Sequence, residues 1–129
     1  MDIALSDAET APVTEQRILI VDDDHSLLDA VVLSLTAPGR SVVASATFEE
    51  ARRHLRTEQF DVLVADVRLG AFNGLQLAVI ARDSHPDIRI IVFSGFDDPV
   101  LRQEATQLGA TYLVKPVSSY ALLELIDRH

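Results

Sequence analysis

The sequence predicts an open three-layer α/β sandwich of five βα units, (βα)5, in which helices cover both faces of a doubly wound parallel sheet. Three observations lead to this fold class. Short apolar runs recur at intervals of about 20 residues, amphipathic stretches separate them, and capping residues stand at the junctions. The apolar runs are ILIV (18–21), VVA (42–44), VLVA (62–65), IIVF (90–93) and YLV (112–114).

The composition of these runs predicts the kind of sheet. Most of them are apolar at every position instead of alternating between apolar and polar residues. Strands that are buried on both faces have this pattern, and such strands belong to parallel sheets covered by helices. Right-handed crossovers then place one helix after each strand.

Apolar residues at helical spacing predict five helices, one after each strand. Each stretch gathers its apolar residues on one face, which we expect to pack on the sheet. The predicted core positions are Leu28, Val31, Val32 and Leu35 in the first helix, Phe48, Ala51 and Leu55 in the second, Leu75, Ala78 and Val79 in the third, Leu101, Ala105 and Leu108 in the fourth, and Leu122, Leu125 and Ile126 in the fifth.

Helix boundaries are marked by capping residues. Thr47 followed by Glu50 predicts a capping box at the start of the second helix. Asp98 before Pro99 predicts an N-cap followed by proline at the first helical position. Gly109 follows the fourth helix, where a left-handed backbone conformation is favoured. These signals agree with the boundaries that the apolar spacing gives.

The length of 129 residues, with a mass of 14.1 kDa, predicts one domain, which we place at residues 17–129. Residues 1–16 contain acidic residues, no basic residue and no apolar period. We expect a disordered tail there, with a vector-derived or start-site extension as alternatives. The absence of cysteine excludes disulfides, thiolate zinc sites and cysteine nucleophiles.

Charge and hydropathy argue against a membrane-spanning, secreted or nucleic-acid-binding protein. No apolar run approaches the roughly 18 residues that span a membrane, and the N-terminus lacks the features of a secretory signal. The expected location is therefore the cytoplasm. The formal net charge of −9 argues against direct binding of nucleic acid, which needs a basic surface.

Polar residues stand at the carboxyl ends of four predicted strands, where open α/β sheets place their sites. Of the 11 lysine and arginine residues, only one is a lysine, and it lies at one of these ends. A compact ammonium differs from the planar arginine fork, so its position indicates a specific role. The residues at these ends are Asp22, Asp23 and Asp24, then Asp66, then Ser94 and Gly95, then Lys115 and Pro116.

This set of residue types suits phosphoryl transfer. Clustered carboxylates repel one another unless a cation intervenes, and their hard oxygens suit Mg²⁺, with Mn²⁺ as a substitute. An ammonium and a hydroxyl can neutralise phosphoryl oxygens together with the metal. A carboxylate can itself be the nucleophile and form an acyl phosphate. Such a mixed anhydride hydrolyses readily, which suits a reversible signal.

At these residues the sequence resembles the receiver domain of bacterial two-component response regulators. The resemblance covers residues 17–128 and depends on ILIVDDD, DVLVAD, IIVFSG and YLVKP, in the order and approximate spacing of that family. Gly74, after Asp66, also matches. The resemblance implies a flavodoxin-like fold with strand order 2-1-3-4-5.

The resemblance also implies roles for the acidic residues. Asp66 matches the phosphoacceptor, which would take its phosphoryl group from a histidine kinase or a phosphotransfer protein. Asp22 and Asp23 match the pair that holds Mg²⁺ together with the phosphoacceptor. Arg68 matches the position that lends a backbone carbonyl to the metal.

Phosphoryl binding and switching are implied for four further positions. Ser94, followed by Gly95, matches the switch hydroxyl that binds the phosphoryl group. Lys115 matches the lysine that pairs with it. Tyr112 matches the aromatic residue that moves inward on activation, and the surface around the fourth helix and fifth strand would then change. The domain would catalyse only its own phosphorylation and dephosphorylation, so we do not expect a conventional enzyme.

The sequence departs from the family pattern at two glycines. Gly70 replaces a frequent proline, so we expect a more mobile loop after the phosphoacceptor. Gly95 replaces a frequent alanine, which leaves the phosphoryl group more accessible. Arg68 and Phe96 match positions that flank the site, and we expect them to tune the rate of dephosphorylation.

The sequence also allows expectations about partners and leaves two alternative functions open. A homodimer through the fourth helix, fifth strand and fifth helix is consistent with the family, and we expect a downstream output domain or target whose identity these residues do not specify. One alternative is a Mg²⁺ phosphatase resembling the haloacid dehalogenases, with Asp22 as nucleophile. It leaves Asp66 without a role. A further alternative is a binding module with the receiver fold and no phosphorylation.

Overall fold

A parallel five-stranded sheet forms the middle layer of the molecule, as seen in a computed structural model that describes residues 15–127. The strands are β1 (Gln16–Val21), β2 (Arg40–Ser45), β3 (Val62–Asp66), β4 (Arg89–Ser94) and β5 (Ala110–Val114). They pair in the order β2-β1-β3-β4-β5, so the expected order 2-1-3-4-5 is confirmed.

One helix follows each strand, which gives the predicted (βα)5 arrangement. The helices are α1 (His25–Leu35), α2 (Phe48–Thr57), α3 (Gly74–Ser84), α4 (Pro99–Gln107) and α5 (Ser119–Asp127). Apolar residues from the two sheet faces form two clusters. Ile18 and Ile20 pack with α1 and α5, while Leu19 and Val21 pack with α2, α3 and α4. The apolar run of β1 is therefore buried on both faces, as predicted.

The observed strands are longer than the apolar runs by one or two residues at some ends. Gln16 already belongs to β1, which shortens the predicted tail, and residues 1–14 of that tail lie outside the described residues. Val79, which was assigned to the core, is 52% exposed. Leu77 and Ala81 take the core face of α3 instead. Within residues 15–127, no helix is long and apolar enough to cross a membrane.

Helix caps follow the prediction with one change. Thr47 Oγ1 accepts a bond from the Glu50 N–H at 3.2 Å, but the Glu50 carboxylate accepts from Ala46 instead of Thr47. Asp98 is the N-cap of α4, as predicted, and Pro99 is its first residue. Gly109 ends α4 with a φ of +73°, as its position indicated.

A small antiparallel hairpin lies between β3 and α3. Its two strands are Arg68–Leu69 and Phe72–Asn73, and we refer to it as the β3–α3 hairpin. Gly70 occupies the turn with a φ of +62°, a conformation that favours glycine. Leu69 is buried, and the Phe72 ring stacks on Phe48 with ring centroids 4.5 Å apart. The hairpin therefore contacts α2 through the Phe72 ring, and Leu69 belongs to the apolar cluster on that face of the sheet.

Candidate functional site

The carboxyl edge of the sheet brings together the residues that the strand ends predicted. Parallel pairing sets Val21 beside Ala65 and Asp66 beside Phe93. Asp22 directly follows β1, and Asp66 ends the neighbouring β3, so their side chains share one edge. The main chains of the next two strands also meet there, because the Lys115 N–H donates to the Ser94 carbonyl at 2.7 Å.

Three carboxylates form the acidic part of this site. Asp22, Asp23 and Asp66 each offer an oxygen, and these oxygens lie within 4.8 Å of one another. Asp22 and Asp66 are buried, while Asp23 is exposed. Hard oxygen ligands with one side open to solvent fit a divalent ion such as Mg²⁺, which keeps several waters. The donor set therefore fits the metal that the sequence indicated.

Asp24 does not belong to the acidic cluster, although it continues the same run of aspartates. Its carboxylate caps α1 by accepting a bond from the Leu27 N–H at 3.1 Å. Its own N–H donates to Asp22 Oδ1 at 2.9 Å. Asp24 thus fixes the start of α1 and orients Asp22, as expected for a residue at the helix N-terminus.

Lys115 links the two buried carboxylates. Its ammonium lies 3.2 Å from Asp22 Oδ2 and 3.1 Å from Asp66 Oδ2. Burial raises the pKa of the Asp22 carboxyl above its ordinary value, and the charge of Asp66 adds to this, although the Asp24 N–H and Lys115 oppose it. Burial tends to lower the pKa of Lys115, but its bonds to Asp66 and the charges of both aspartates outweigh this and raise it.

The backbone around Asp66 explains why Gly74 lies where it does. A Cβ at position 74 would collide with the Asp66 carbonyl oxygen, so only glycine allows α3 to start this close to β3. The Gly74 N–H donates to the Val67 carbonyl at 2.8 Å. On the side-chain end, the Arg68 N–H donates to Asp66 Oδ1 at 3.3 Å. These contacts hold the Asp66 carboxylate at the edge of the sheet.

Ser94 and Gly95 form the wall next to Asp66. Ser94 is buried, and its Oγ accepts a bond from the Phe96 N–H at 3.2 Å. That bond leaves the hydroxyl proton able to donate to an oxygen placed at the site. A Cβ at Gly95 would meet no atom within 4 Å, so the space that an alanine methyl would fill is open here.

Tyr112 lies inward in this structure. Its side chain packs in the apolar cluster, with the residue only 7% exposed, and its hydroxyl donates to the Phe96 carbonyl at 2.7 Å. The guanidinium of Arg102 in α4 lies over the ring, 4.8 Å from its centroid. The sequence indicated Tyr112 but not Arg102, because nothing in the local pattern links a residue of α4 to a strand.

Arg68 and Phe96 flank the site, as the sequence suggested, and they also contact each other. The Arg68 guanidinium lies 5.2 Å from the centroid of the Phe96 ring. Both residues are exposed, with Phe96 at 62%. This cation–π pair lies between the hairpin that follows β3 and the loop that follows β4. The sequence places each residue near the site but does not show that they meet.

The fold and the site together define a class of protein: doubly wound α/β domains with an acidic cluster, a hydroxyl and a lysine at one sheet edge. The chain belongs to the response regulator receiver domain family, which matches residues 18–127. The anticipated fold class and receiver assignment are thus confirmed.

Relatives and solved structures agree with this assignment. The chain is 32% identical over 114 residues to the response regulator protein FleR of Pseudomonas aeruginosa, covering 88% of this chain and 24% of that protein. It is similar to a response regulator receiver domain protein from Methanospirillum hungatei, with a TM-score of 0.81, 32% identity, and 86% and 90% of the two chains covered.

A second solved structure contains a modified aspartate. This response regulator protein from Burkholderia pseudomallei has a phosphorylated aspartic acid, a calcium ion and citrate. It matches with a TM-score of 0.80 and 27% identity, over 87% of this chain and 66% of that one. Our chain spans about a quarter of the length of the curated relatives it matches, with 24% for FleR and 25% for the Escherichia coli regulator GlrR.

Proposed function

We propose that Asp66 accepts a phosphoryl group from the phosphohistidine of a sensor histidine kinase or a phosphotransfer protein. The observation that carries this proposal is the convergence of Asp66, Asp22 and Lys115 within hydrogen-bond distance at the sheet edge. A half-buried lysine between two buried carboxylates has a clear use where an anionic group must be bound next to a carboxylate.

The transfer forms one bond and breaks one. An oxygen of the Asp66 carboxylate forms the new P–O bond, while the P–N bond of phosphohistidine breaks and its electron pair leaves with the imidazole. Lys115 lies beside the same carboxylate and can bind a phosphoryl oxygen. The hydroxyl of Ser94 can donate to another oxygen, because its Oγ already accepts from the Phe96 N–H.

Asp22, Asp23 and Asp66 would hold Mg²⁺, with Mn²⁺ as a substitute, and the backbone carbonyl of Arg68 would complete the protein ligands. When bound, the ion supplies positive charge to the phosphoryl oxygens. Support comes from the three carboxylate oxygens within 4.8 Å of one another, and from the related Burkholderia structure, whose phosphorylated aspartate accompanies a calcium ion.

The state of Asp66 would be reported by the face of α4, β5 and α5. Tyr112 in β5 is bound to Phe96, the second residue after Ser94, so a change at the phosphoryl site reaches this face through two hydrogen bonds. Val100 and Tyr120 are exposed apolar residues on α4 and α5 that suit a homodimer or an output partner. We place this signalling in the cytoplasm, where the kinase would act.

The domain would catalyse only its own phosphorylation and dephosphorylation. The phosphatase alternative required Asp22 as nucleophile, but Asp22 has 0% exposure. Asp66 retains 6% exposure and lies at the end of its strand. The family match to the receiver domain favours Asp66 further.

Intact mass after incubation with Mg²⁺ and acetyl phosphate tests the proposal. We expect the wild-type chain to gain one phosphoryl group and Asp66→Asn to gain none. Asp24→Asn is the matched control, because Asn also caps helices well and Asp24 lies outside the acidic cluster. A gain that survives Asp66→Asn would support a different nucleophile, and no gain in the wild type would support a module without phosphorylation.

The flanking pair Arg68 and Phe96 would set how long the phosphoryl group lasts. Their cation–π contact spans the two loops beside Asp66, where it limits the approach of water. We expect Phe96→Ala and Arg68→Ala each to change the rate of phosphoryl loss, followed by intact mass after removal of acetyl phosphate. An unchanged rate in Phe96→Ala would contradict this role.

A further inference from the structure

Arg102 connects α4 to two parts of the molecule at once. Its guanidinium lies over the Tyr112 ring, 4.8 Å from the centroid. The same group donates to Asp97 Oδ1 from Nε at 3.1 Å and from Nη2 at 2.9 Å. One side chain therefore binds both the strand residue and the loop after β4.

The loop that Arg102 holds is the one that binds the Tyr112 hydroxyl. Asp97 directly follows Phe96, whose carbonyl accepts the hydroxyl bond at 2.7 Å. Phe96 also donates its N–H to Ser94 Oγ at 3.2 Å. A shift of this loop would therefore move the acceptor of Tyr112 and the donor to Ser94 together.

We propose that Arg102 is a positioning residue that holds Tyr112 inward, by covering one face of its ring and by fixing the loop that binds its hydroxyl. The Tyr112 ring cannot leave this position without losing the cation–π contact and the bond to Phe96. The proposal deepens the proposed function, because it assigns the control of the inward state to a residue outside the phosphoryl site.

The expected effect is modest because Arg102 is partly exposed. Its side chain is 46% exposed and that of Asp97 is 66% exposed, so solvent screens their ion pair. The cation–π contact then supplies most of the effect, which corresponds to about a two- to fivefold change in an equilibrium. We expect the ratio of inward to outward Tyr112 to fall by this factor when Arg102 is replaced.

The chain allows Tyr112 to be observed alone. It has two tyrosines and no tryptophan, and the other tyrosine, Tyr120, is 72% exposed. In a Tyr120→Phe background with ¹³C-labelled tyrosine, all ring signals come from Tyr112. Nuclear Overhauser contacts between the Tyr112 ring and Phe96 then measure the inward position directly. These contacts would not change if the ring lost its Arg102 cover but stayed in place.

Two variants separate charge from packing, and a third serves as the control. Arg102→Gln keeps much of the length without the charge, and Arg102→Lys keeps the charge without the planar fork. We expect the contacts to Phe96 to weaken in Arg102→Gln and to be mostly retained in Arg102→Lys. Arg53→Gln, at an exposed position of α2, should leave them unchanged. Equal contacts in wild type and Arg102→Gln would overturn the proposal.

Beryllofluoride with Mg²⁺ tests the link to the phosphoryl site. A ligand that favours the inward state should restore the contacts to Phe96 in Arg102→Gln. If it binds this variant without restoring them, the link between Arg102 and the site is overturned. If the wild type shows no binding, the proposed function fails, while the contacts in the ligand-free protein still decide the role of Arg102.

Discussion

The two edges of the central sheet both carry charged residues, but they use them differently. At the carboxyl edge, two buried carboxylates share the ammonium of Lys115. At the amino edge, arginines bind carboxylates and backbone carbonyls that lie at the ends of helices. Arg40 pairs with Asp127 at 2.6 Å, and Arg17 pairs with Glu58 at 2.8 Å.

Helix ends account for most of the arginine contacts at the amino edge. Arg89 donates to the carbonyls of Leu125 and Ile126 in the last turn of α5. Arg82 donates to the Leu108 carbonyl at 3.0 Å, at the end of α4. The planar fork suits these carbonyls, which otherwise lack intrahelical partners.

The comparison separates charged residues that stabilise the fold from charged residues that are arranged to bind a ligand. At the amino edge, the guanidinium of each arginine named above binds one carboxylate or uncharged backbone carbonyls, so these contacts need no ligand. At the carboxyl edge, burial is the main cause of the raised pKa of Asp22, and the charge of Asp66 adds to it even beside Lys115. Such an arrangement favours the arrival of a further cation.

Replacing Lys115 should give the largest effect on function. Lys115→Ala removes the one lysine of the sequence, whose ammonium bonds Asp66 and is proposed to bind a phosphoryl oxygen. We expect phosphorylation by acetyl phosphate to slow by about 100-fold, as for the loss of one preorganised donor. The rate of mass gain measures this. A rate within a fewfold of wild type would contradict the claim that the charges of the carboxyl edge serve function and those of the amino edge serve structure.

Gly74→Ala should affect both stability and function at the carboxyl edge. The added methyl collides with the Asp66 carbonyl, so α3 or the end of β3 must shift. We expect a loss of about 1–3 kcal/mol in the free energy of unfolding, typical of overpacking. Urea unfolding measures this loss. Wild-type stability together with a wild-type phosphorylation rate would show that the close approach is unimportant.

Arg89→Ala tests the amino edge. The variant leaves two carbonyls of α5 without their guanidinium donor, and we expect a loss of about 1–2 kcal/mol in the free energy of unfolding. The rate of phosphorylation should stay at the wild-type value, because Arg89 begins the strand whose other end carries Ser94. A stable variant with slow phosphorylation would contradict the division between the edges.

Replacing Glu58 should have the smallest effect, a pH-dependent change in the free energy of unfolding. Hydrogen bonds from His54 and Arg17 hold the pKa of Glu58 below its ordinary value of 4.5. The unfolded chain thus binds the proton more tightly, so this contribution to stability is present above pH 4.5 and is lost as the pH falls through the lowered pKa. Urea unfolding of wild type and Glu58→Gln should differ least in acid. If the difference in the free energy of unfolding between the two proteins instead grew in acid, the predicted direction of the pH dependence would be wrong.

The sequence predicted the fold well because its signals are local. Apolar runs and capping residues determined the type and order of all five βα units. Boundaries were less accurate because backbone pairing extends strands beyond their apolar residues, as at Gln16 in β1. Val79 was placed in the core of α3 wrongly, since the run LQLAVIA is apolar on several faces and leaves the buried face ambiguous.

The candidate site was predictable for a different reason. Parallel strands bring their carboxyl ends to one edge, so residue types at those ends predict the cluster of Asp22, Asp66 and Lys115. The contacts of Arg102 with Tyr112 and Asp97 could not be predicted. They depend on side-chain directions across separate elements, and no periodicity in the sequence records these directions.

Mapping the modified residue tests the central claim most directly. The protein would be phosphorylated with Mg²⁺ and acetyl phosphate, the acyl phosphate reduced with borohydride, and the product digested for peptide mass spectrometry. Reduction converts a phosphorylated aspartate to homoserine, so the account predicts homoserine at position 66 and aspartate at positions 22 and 23. Homoserine at position 22 or 23, with aspartate retained at 66, would contradict the account.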